Sequence, residues 1–284
     1  MLDIIIFNVE HGQSIFFYPR EQPQYGMFVD CGNTPDFEPI DYLINKGLVY
    51  HDGRRYVLGN LTLTNYDQDH FSGLPHLRKQ VQIGTIQFSK NLSSPELRQI
   101  KEEHTDALDH VCELKDGYTA DAPAYQPPYK KTSYYLAQSE FAGQATTNNL
   151  SQVVFVEFGG SVICISGDLE ADGWERLLAK AGFADWLRRT NVLVTAHHGR
   201  VNGYAEEVFE YCSPECVIIS DKAMTHGTQE GMSQAYAAHV RGNGIPLITS
   251  QGSAWRKVLT TRNDNHIWVR MIPGGGREYR TLTD

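Results

Sequence analysis

The stretch LTLTNYDQDHFSGL, residues 61–74, decides how the rest of this chain is read. Its opening Leu-Thr-Leu-Thr mixes apolar and β-branched side chains, the composition of a buried strand that ends sharply. Asn65, Asp67, Asp69 and His70 follow within six residues, and then Ser72-Gly73. A strand holds the backbone at such a point while the loop beyond it turns side chains inward, so the cluster can converge on one ion. Carboxylates offer hard oxygen donors and imidazole a borderline nitrogen, a set that suits a divalent metal. The same residues also suit an ordinary polar turn, because Asn and Asp hydrogen-bond their own backbone there.

The chain has 284 residues, 41% hydrophobic and 21% charged, the balance of a globular protein with a substantial core. A formal net charge of −9 gives no general attraction to nucleic acid or anionic membranes, although a sum does not exclude a local basic groove. The five cysteines (Cys31, Cys112, Cys164, Cys212 and Cys216) are odd in number and lack Cys-x-x-Cys spacing, as expected of reduced thiols. Met1 is followed at once by LDIIIF without a basic leader, and no apolar run approaches the roughly 20 residues of a bilayer span. The expectation is a cytoplasmic protein with no membrane segment. No composition shift marks a linker. One domain over residues 1–284 is therefore expected, with an insertion at about 90–147.

Taken in order, residues 2–8, 14–18 and 27–30 read as strands, with the turn Val9-Glu10-His11-Gly12-Gln13 between the first two. His11 is either a contact at the rim of the site or a solvated turn histidine. Residues 35–47 carry Ile40, Leu43 and Ile44 at helical spacing, and Gly47 stops them. Beyond the opening stretch, a short helix at 74–79 precedes a strand at 81–88. Ser93 or Ser94, with Pro95 and Glu96 behind it, caps a helix expected to run to about Leu114. His104 and His110 are six apart on it, so they share no face and read as structural. Residues 115–147 are the least patterned. Their tyrosines and Lys130-Lys131 suit either base stacking or a long surface loop.

Two more strand ends carry polar residues. QVVFVEF and SVICIS form a hairpin across Gly159-Gly160, closed by Gly167-Asp168. A carboxylate just beyond a buried strand is costly unless exposed, paired or metal-bound. Residues 170–189 read as a helical segment broken near Gly182. VLVT, residues 192–195, then delivers Ala196-His197-His198-Gly199-Arg200. Helical residues 206–211, a strand at 216–220, a loop with His226, a helix at 233–241 and strands at 246–249, 258–261 and 266–271 complete the chain. The tail from Pro273 reads as edge structure or disorder.

NYDQDH resembles the His-x-His-x-Asp-His signature of the metallo-β-lactamase superfamily. Asp69 and His70 match it directly, while Asn65 and Asp67 stand where histidines usually stand. The turn with Asn8, Gly12 and Ser14, the strand end with Asp30 and Gly32, Asn148-Asn149-Leu150-Ser151 before the hairpin, Gly167-Asp168 and His197-His198-Gly199 are similar to the superfamily's competence-protein (ComEC-type) branch. Arg200 replaces that branch's serine. These elements occur in the same order over residues 2–270.

The resemblance implies a mixed α/β fold, an αββα four-layer sandwich with metal at one edge between the sheets. It implies a site of Asp69, His70, Asp168 and His197 or His198. His197 is favoured as the ligand for its nearness to the strand, with His198 as a second ligand or a transition-state contact. Asp30 would support the metal loop by accepting hydrogen bonds. A second, oxygen-rich site would use Asn65, Asp67 and a bridging Asp168, and harder ions such as Mn²⁺ or Mg²⁺ suit it better than Zn²⁺. One or two divalent ions are expected, and Asp69, His198 and His226 are the catalytic candidates. A bound ion lowers the pKa of water and supplies hydroxide near neutral pH. The branch implies a phosphodiesterase or nuclease acting on a phosphodiester or nucleic acid. Alternatives are hydrolysis of a small ester or lactone, and a non-catalytic binding or regulatory module. No Walker-type loop or Gly-x-Ser-x-Gly is present to support nucleotide triphosphatase or serine-hydrolase chemistry.

Overall fold

In chain order the strands are β1 (Leu2–Ile6), β2 (Ser14–Pro19), β3 (Met27–Cys31), β4 (Tyr50–His51), β5 (Tyr56–Thr62), β6 (Val81–Gln87), β7 (Lys130–Tyr134), β8 (Val153–Phe158), β9 (Ser161–Ile165), β10 (Val192–Val194), β11 (Cys216–Ile219), β12 (Ile245–Thr249), β13 (Gly252–Arg256), β14 (Val258–Thr260), β15 (His266–Ile272) and β16 (Gly276–Leu282). The structure, a computed structural model, describes residues 1–101, 103–120, 125–141, 146–222, 227–249 and 252–282. One sheet runs β13-β12-β16-β15-β1-β2-β3-β5-β4, with β6 also paired to β5, and the other runs β14-β11-β10-β9-β8-β7.

Runs such as LDIII and SVICI are buried at every position because both faces of each sheet are covered. Leu2, Ile4 and Ile6 of β1 point into the core between the sheets, where they meet Val154, Ile163, Val194 and Ile218. Ile5 and Phe7 face the other way, into an outer layer with Ile40, Leu43 and Leu74 of the covering helices. Each such fully buried Ile or Leu contributes about 1.5–3 kcal/mol. The result is the α/β sandwich that the resemblance implies, with helices outside two packed sheets.

Strand direction positions the site. β9, β10, β11 and β14 are mutually parallel, so the segments following β9, β10 and β11 emerge at one edge of their sheet. In the other sheet β3 and β5 are parallel, which sets the Asp30 end of β3 beside the loop after β5.

Several elements differ from the sequence reading. The helix expected from Ser93 to about Leu114 is two helices, Ser94–Ile100 and Asp106–Gly117. Ser93 caps the first with a full capping box to Glu96, but Thr105 is a second cap, its side chain accepting from Leu108 N at 3.2 Å. As far as Leu282 the tail is a paired inner strand: β16 pairs antiparallel with β15 and parallel with β12. Tyr279 is buried there, and Arg277 Nη2 holds Glu215 Oε2 at 2.7 Å. The expected strand at 246–249 is present as β12, while its hairpin partner β13 and strand β7 lie where the sequence reading placed no strand. All five cysteines are free and buried.

Candidate metal centre

Four side chains from three strand ends converge. Asp69, His70, Asp168 and His198 each offer a ligand atom, and these atoms lie within 4.8 Å of one another. His70 Nε2 is 3.0 Å from Asp168 Oδ1, while His198 Nε2 is 3.1 Å from Asp69 Oδ2 and 3.5 Å from Asp168 Oδ1. His70, Asp168 and His198 are buried and Asp69 is half-buried at the opening.

The remaining nitrogen of each imidazole is committed to the protein. His70 Nδ1 lies 2.8 Å from Asp30 Oδ2, and the same carboxylate accepts from Thr64 N at 2.7 Å and Gln13 Nε2 at 2.7 Å. A carboxylate surrounded by donors takes one more, so His70 is tied with its proton on Nδ1. His198 Nδ1 lies 2.9 Å from the carbonyl of Ser220, which can only accept. Both Nε2 atoms therefore turn lone pairs toward carboxylate oxygens. His70 Nε2, His198 Nε2 and Asp168 Oδ1 have no directed hydrogen bond although they are buried and close.

Lone pairs face lone pairs here, and a positive charge among them resolves the conflict. A proton on an imidazole meets the same pull. Burial would raise the Asp168 carboxyl, but His70 and His198 outweigh it and hold it well below the usual carboxylate range. Burial would lower His70 and His198, but Asp168, with Asp30 or Asp69, outweighs it and raises both. Two carboxylates, two neutral-capable imidazoles and a second layer that fixes each tautomer make a donor set that fits a divalent ion.

Local backbone conformation makes the convergence possible. Asp30, His197 and His198 all have positive φ, at 57°, 49° and 53°. Such a conformation costs a non-glycine residue roughly 1–2 kcal/mol, less for Asp and His than for β-branched residues. The paired left-handed residues splay their side chains apart, so only His198 turns into the cluster. His197 Nδ1 instead sits 3.8 Å from Glu170 Oε1, and its Nε2 is 3.5 Å from Arg200 Nη1. Gly12 is needed because a Cβ there would stand 2.7 Å from the carbonyl oxygen of Asp69, which Gln13 N binds at 3.2 Å.

The other half of the opening motif is turned away. Asn65 Oδ1 accepts from Tyr66 N at 2.5 Å, and its amide nitrogen is 3.5 Å from Asn148 Oδ1. Asp67 forms an ion pair with Lys101 and accepts from Thr147 Oγ1 at 3.2 Å. His226 lies outside the described residues.

Sequence reasoning gave too little weight to three residues. His11 packs on His198 at 4.7 Å between ring centroids, with Nε2 3.7 Å from Asp69 Oδ2. Burial and the neighbouring His198 push its pKa down to about 4, so the ring is neutral at physiological pH. Arg200 Nη2 is 3.1 Å from His11 Nε2. Glu170 gathers Asn202 Nδ2 at 2.9 Å and Asn148 Nδ2 at 3.2 Å. The departure of Arg200 from the family's serine was the available signal. Most of the tyrosines of residues 115–147 are used internally: Tyr129 is buried, with its hydroxyl on Tyr25 O at 3.0 Å, and Tyr118 reaches Ile83 O at 2.8 Å.

Fold and cluster together define a metallo-β-lactamase fold protein. No family model matches the chain. It is 26% identical over 236 residues to ComE operon protein 3 of Bacillus subtilis, covering 77% of this chain. It spans only 28% of the length of that relative. The crystal structure of the metallo-β-lactamase fold protein YhfI from Bacillus subtilis superposes with a TM-score of 0.51, 10% identity, and coverage of 98% of this chain and 100% of that one. CmlA, a diiron β-hydroxylase from Streptomyces venezuelae, gives a TM-score of 0.52 at 13% identity, covering 95% of this chain and 54% of that one. Among the described residues no helix is long and apolar enough to cross a membrane.

Proposed function

We propose that this chain is a metal-dependent hydrolase of phosphodiesters, with nucleic acid among its candidate substrates. The observation that carries the reading is the meeting of two imidazole Nε2 lone pairs with the carboxylates of Asp69 and Asp168, while Asp30 and Ser220 occupy both Nδ1 atoms. A divalent ion held there by Asp69, His70, Asp168 and His198 would supply a water of lowered pKa and polarise a phosphoryl oxygen. No Ser, Cys or Lys nucleophile is then required.

The chain's own residues supply orientation and charge. Asp30, fixed by Gln13 and Thr64, keeps His70 in one tautomer, and the Ser220 carbonyl does the same for His198. Neutral His11 borders the half-buried Asp69, the most exposed of the four cluster residues. The resemblance of the motifs to the competence-type branch supports a phosphodiester as first choice.

The test is turnover of a chromogenic phosphodiester by the purified chain with Mn²⁺ or Zn²⁺, beside the Asp69→Ala/His70→Ala variant. Turnover in the wild type alone is expected. Equal rates in both would place the activity elsewhere. Turnover confined to neutral esters or lactones would favour that class of hydrolase. No turnover on any of them with metal bound would favour a non-catalytic module.

A further inference from the structure

Beside the cluster stands the guanidinium of Arg200, close to His11 and His197. Among the described residues no carboxylate lies within ion-pair distance of Arg200. Its neighbours are imidazoles: Nη2 is 3.1 Å from His11 Nε2, and Nη1 is 3.5 Å from His197 Nε2. Its Nε is buried and has no hydrogen-bond partner. A guanidinium stays charged at any working pH, and a buried N–H of a charged group left unmatched is costly. The conformation is not accidental, because Arg200 N binds His197 O at 3.0 Å and so closes the turn made by the two left-handed histidines. That turn sets Arg200 against His11, whose other contacts are His198 and Asp69. The guanidinium thus stands one imidazole away from the convergent ligand atoms.

We propose that Arg200 is the anion-recognition residue of this site, so that the substrate carries a negatively charged phosphoryl oxygen and not a neutral ester or lactone carbonyl. The inference rests on the hydrolase reading and names the residue that recognises the phosphoryl group. Planar N–H groups in a fixed fork match two oxygens of a phosphoryl group, and a phosphate supplies the negative charge that Arg200 lacks. His11 and His197 steer the fork without neutralising it.

Inorganic phosphate is the probe. Calorimetric titration into the Mn²⁺-loaded chain compares wild type with Arg200→Gln and Arg200→Lys, with metal content measured on each. Metal content should be equal in all three. Phosphate affinity should fall about tenfold or more in Arg200→Gln, the scale of one lost charged hydrogen bond. Arg200→Lys should recover part of it, since the charge returns without the fork. Equal phosphate affinity in wild type and Arg200→Gln, with metal retained, overturns the inference. So does wild type that binds no phosphate. Loss of metal in Arg200→Gln also overturns it, because Arg200 would then belong to the metal-holding frame. Turnover is read separately. A chain that binds phosphate through Arg200 yet hydrolyses no phosphodiester defeats the hydrolase reading while supporting the anion site.

Discussion

Strand β5 feeds two buried polar clusters, and they are built on opposite principles. On its own length, Asn60 and Thr62 receive Lys131, whose Nζ donates to Asn60 Oδ1 at 2.8 Å and Thr62 Oγ1 at 2.7 Å. Asn60 Nδ2 in turn reaches Thr85 Oγ1 at 2.9 Å, and Gln87 Nε2 reaches Ser133 Oγ at 2.7 Å. Donors there meet acceptors, and the network joins β5 and β6 to β7. Just beyond the strand's end, Asp69 and His70 join Asp168 and His198, where acceptors meet acceptors. A polar group kept for structure is closed by its neighbours; a polar group kept for a ligand is left open at one atom and tied at the other. The same contrast divides the NYDQDH segment itself: Asn65 and Asp67 are closed, and Asp69 and His70 are open.

The largest effect expected from that contrast is at Asp168, which faces both imidazoles. Asp168→Ala should strip the chain of metal at equimolar Mn²⁺ or Zn²⁺, measured by elemental analysis after gel filtration. Retained metal would break the contrast outright. Next comes Asp30, which touches no proposed ligand atom other than through His70 Nδ1. Asp30→Asn should weaken metal affinity by about 10–100-fold, the usual cost of losing such an orienting partner. Competition with a chelator reads it, and an unchanged affinity would mean that His70 is held by packing alone.

The closed cluster answers to pH. Burial lowers the Lys131 pKa to about 7, and no carboxylate among the described residues compensates it. Below about 7 the amine is charged in the folded and unfolded chain alike. Between there and its ordinary value near 10.5 only the unfolded chain keeps the proton, so this residue's contribution to stability rises with pH across that window. Lys131→Met should be more stable than wild type at pH 7 and gain less between pH 7 and 10, as urea denaturation would show. Parallel profiles would mean that the ammonium is solvated.

The smallest effect is expected from the closed half of the motif. Asn65→Ala and Asp67→Ala should leave metal content unchanged, and loss of the part-exposed Asp67–Lys101 pair should cost about 0.5–1 kcal/mol of stability. Metal lost with either residue would move the site to that side of the loop.

The sequence was informative wherever function depends on order along the chain. The apolar strands, the Gly159-Gly160 hairpin and the Ser93 cap follow from local periodicity and turn chemistry, and the polar strand ends from their residue types. What depended on three-dimensional direction was hidden. His197 and His198 are adjacent in sequence, and only their left-handed backbone decides which one turns into the cluster. Asp67 looks like a ligand until Lys101, on a separate helix's boundary, claims it. Arg200 and His11 are 189 positions apart, so their contact leaves no mark on either segment alone. The tail misled because Gly274-Gly275-Gly276 resembles a loose end, whereas it turns the chain back into the sheet.

Anomalous diffraction from crystals of the Zn²⁺- or Mn²⁺-loaded chain tests the central claim most directly. A single strong peak is expected among Asp69, His70, Asp168 and His198, at roughly 2.0–2.2 Å from their ligand atoms for Zn²⁺. A peak at Asn65 and Asp67 instead, or no peak at full metal loading, would contradict it.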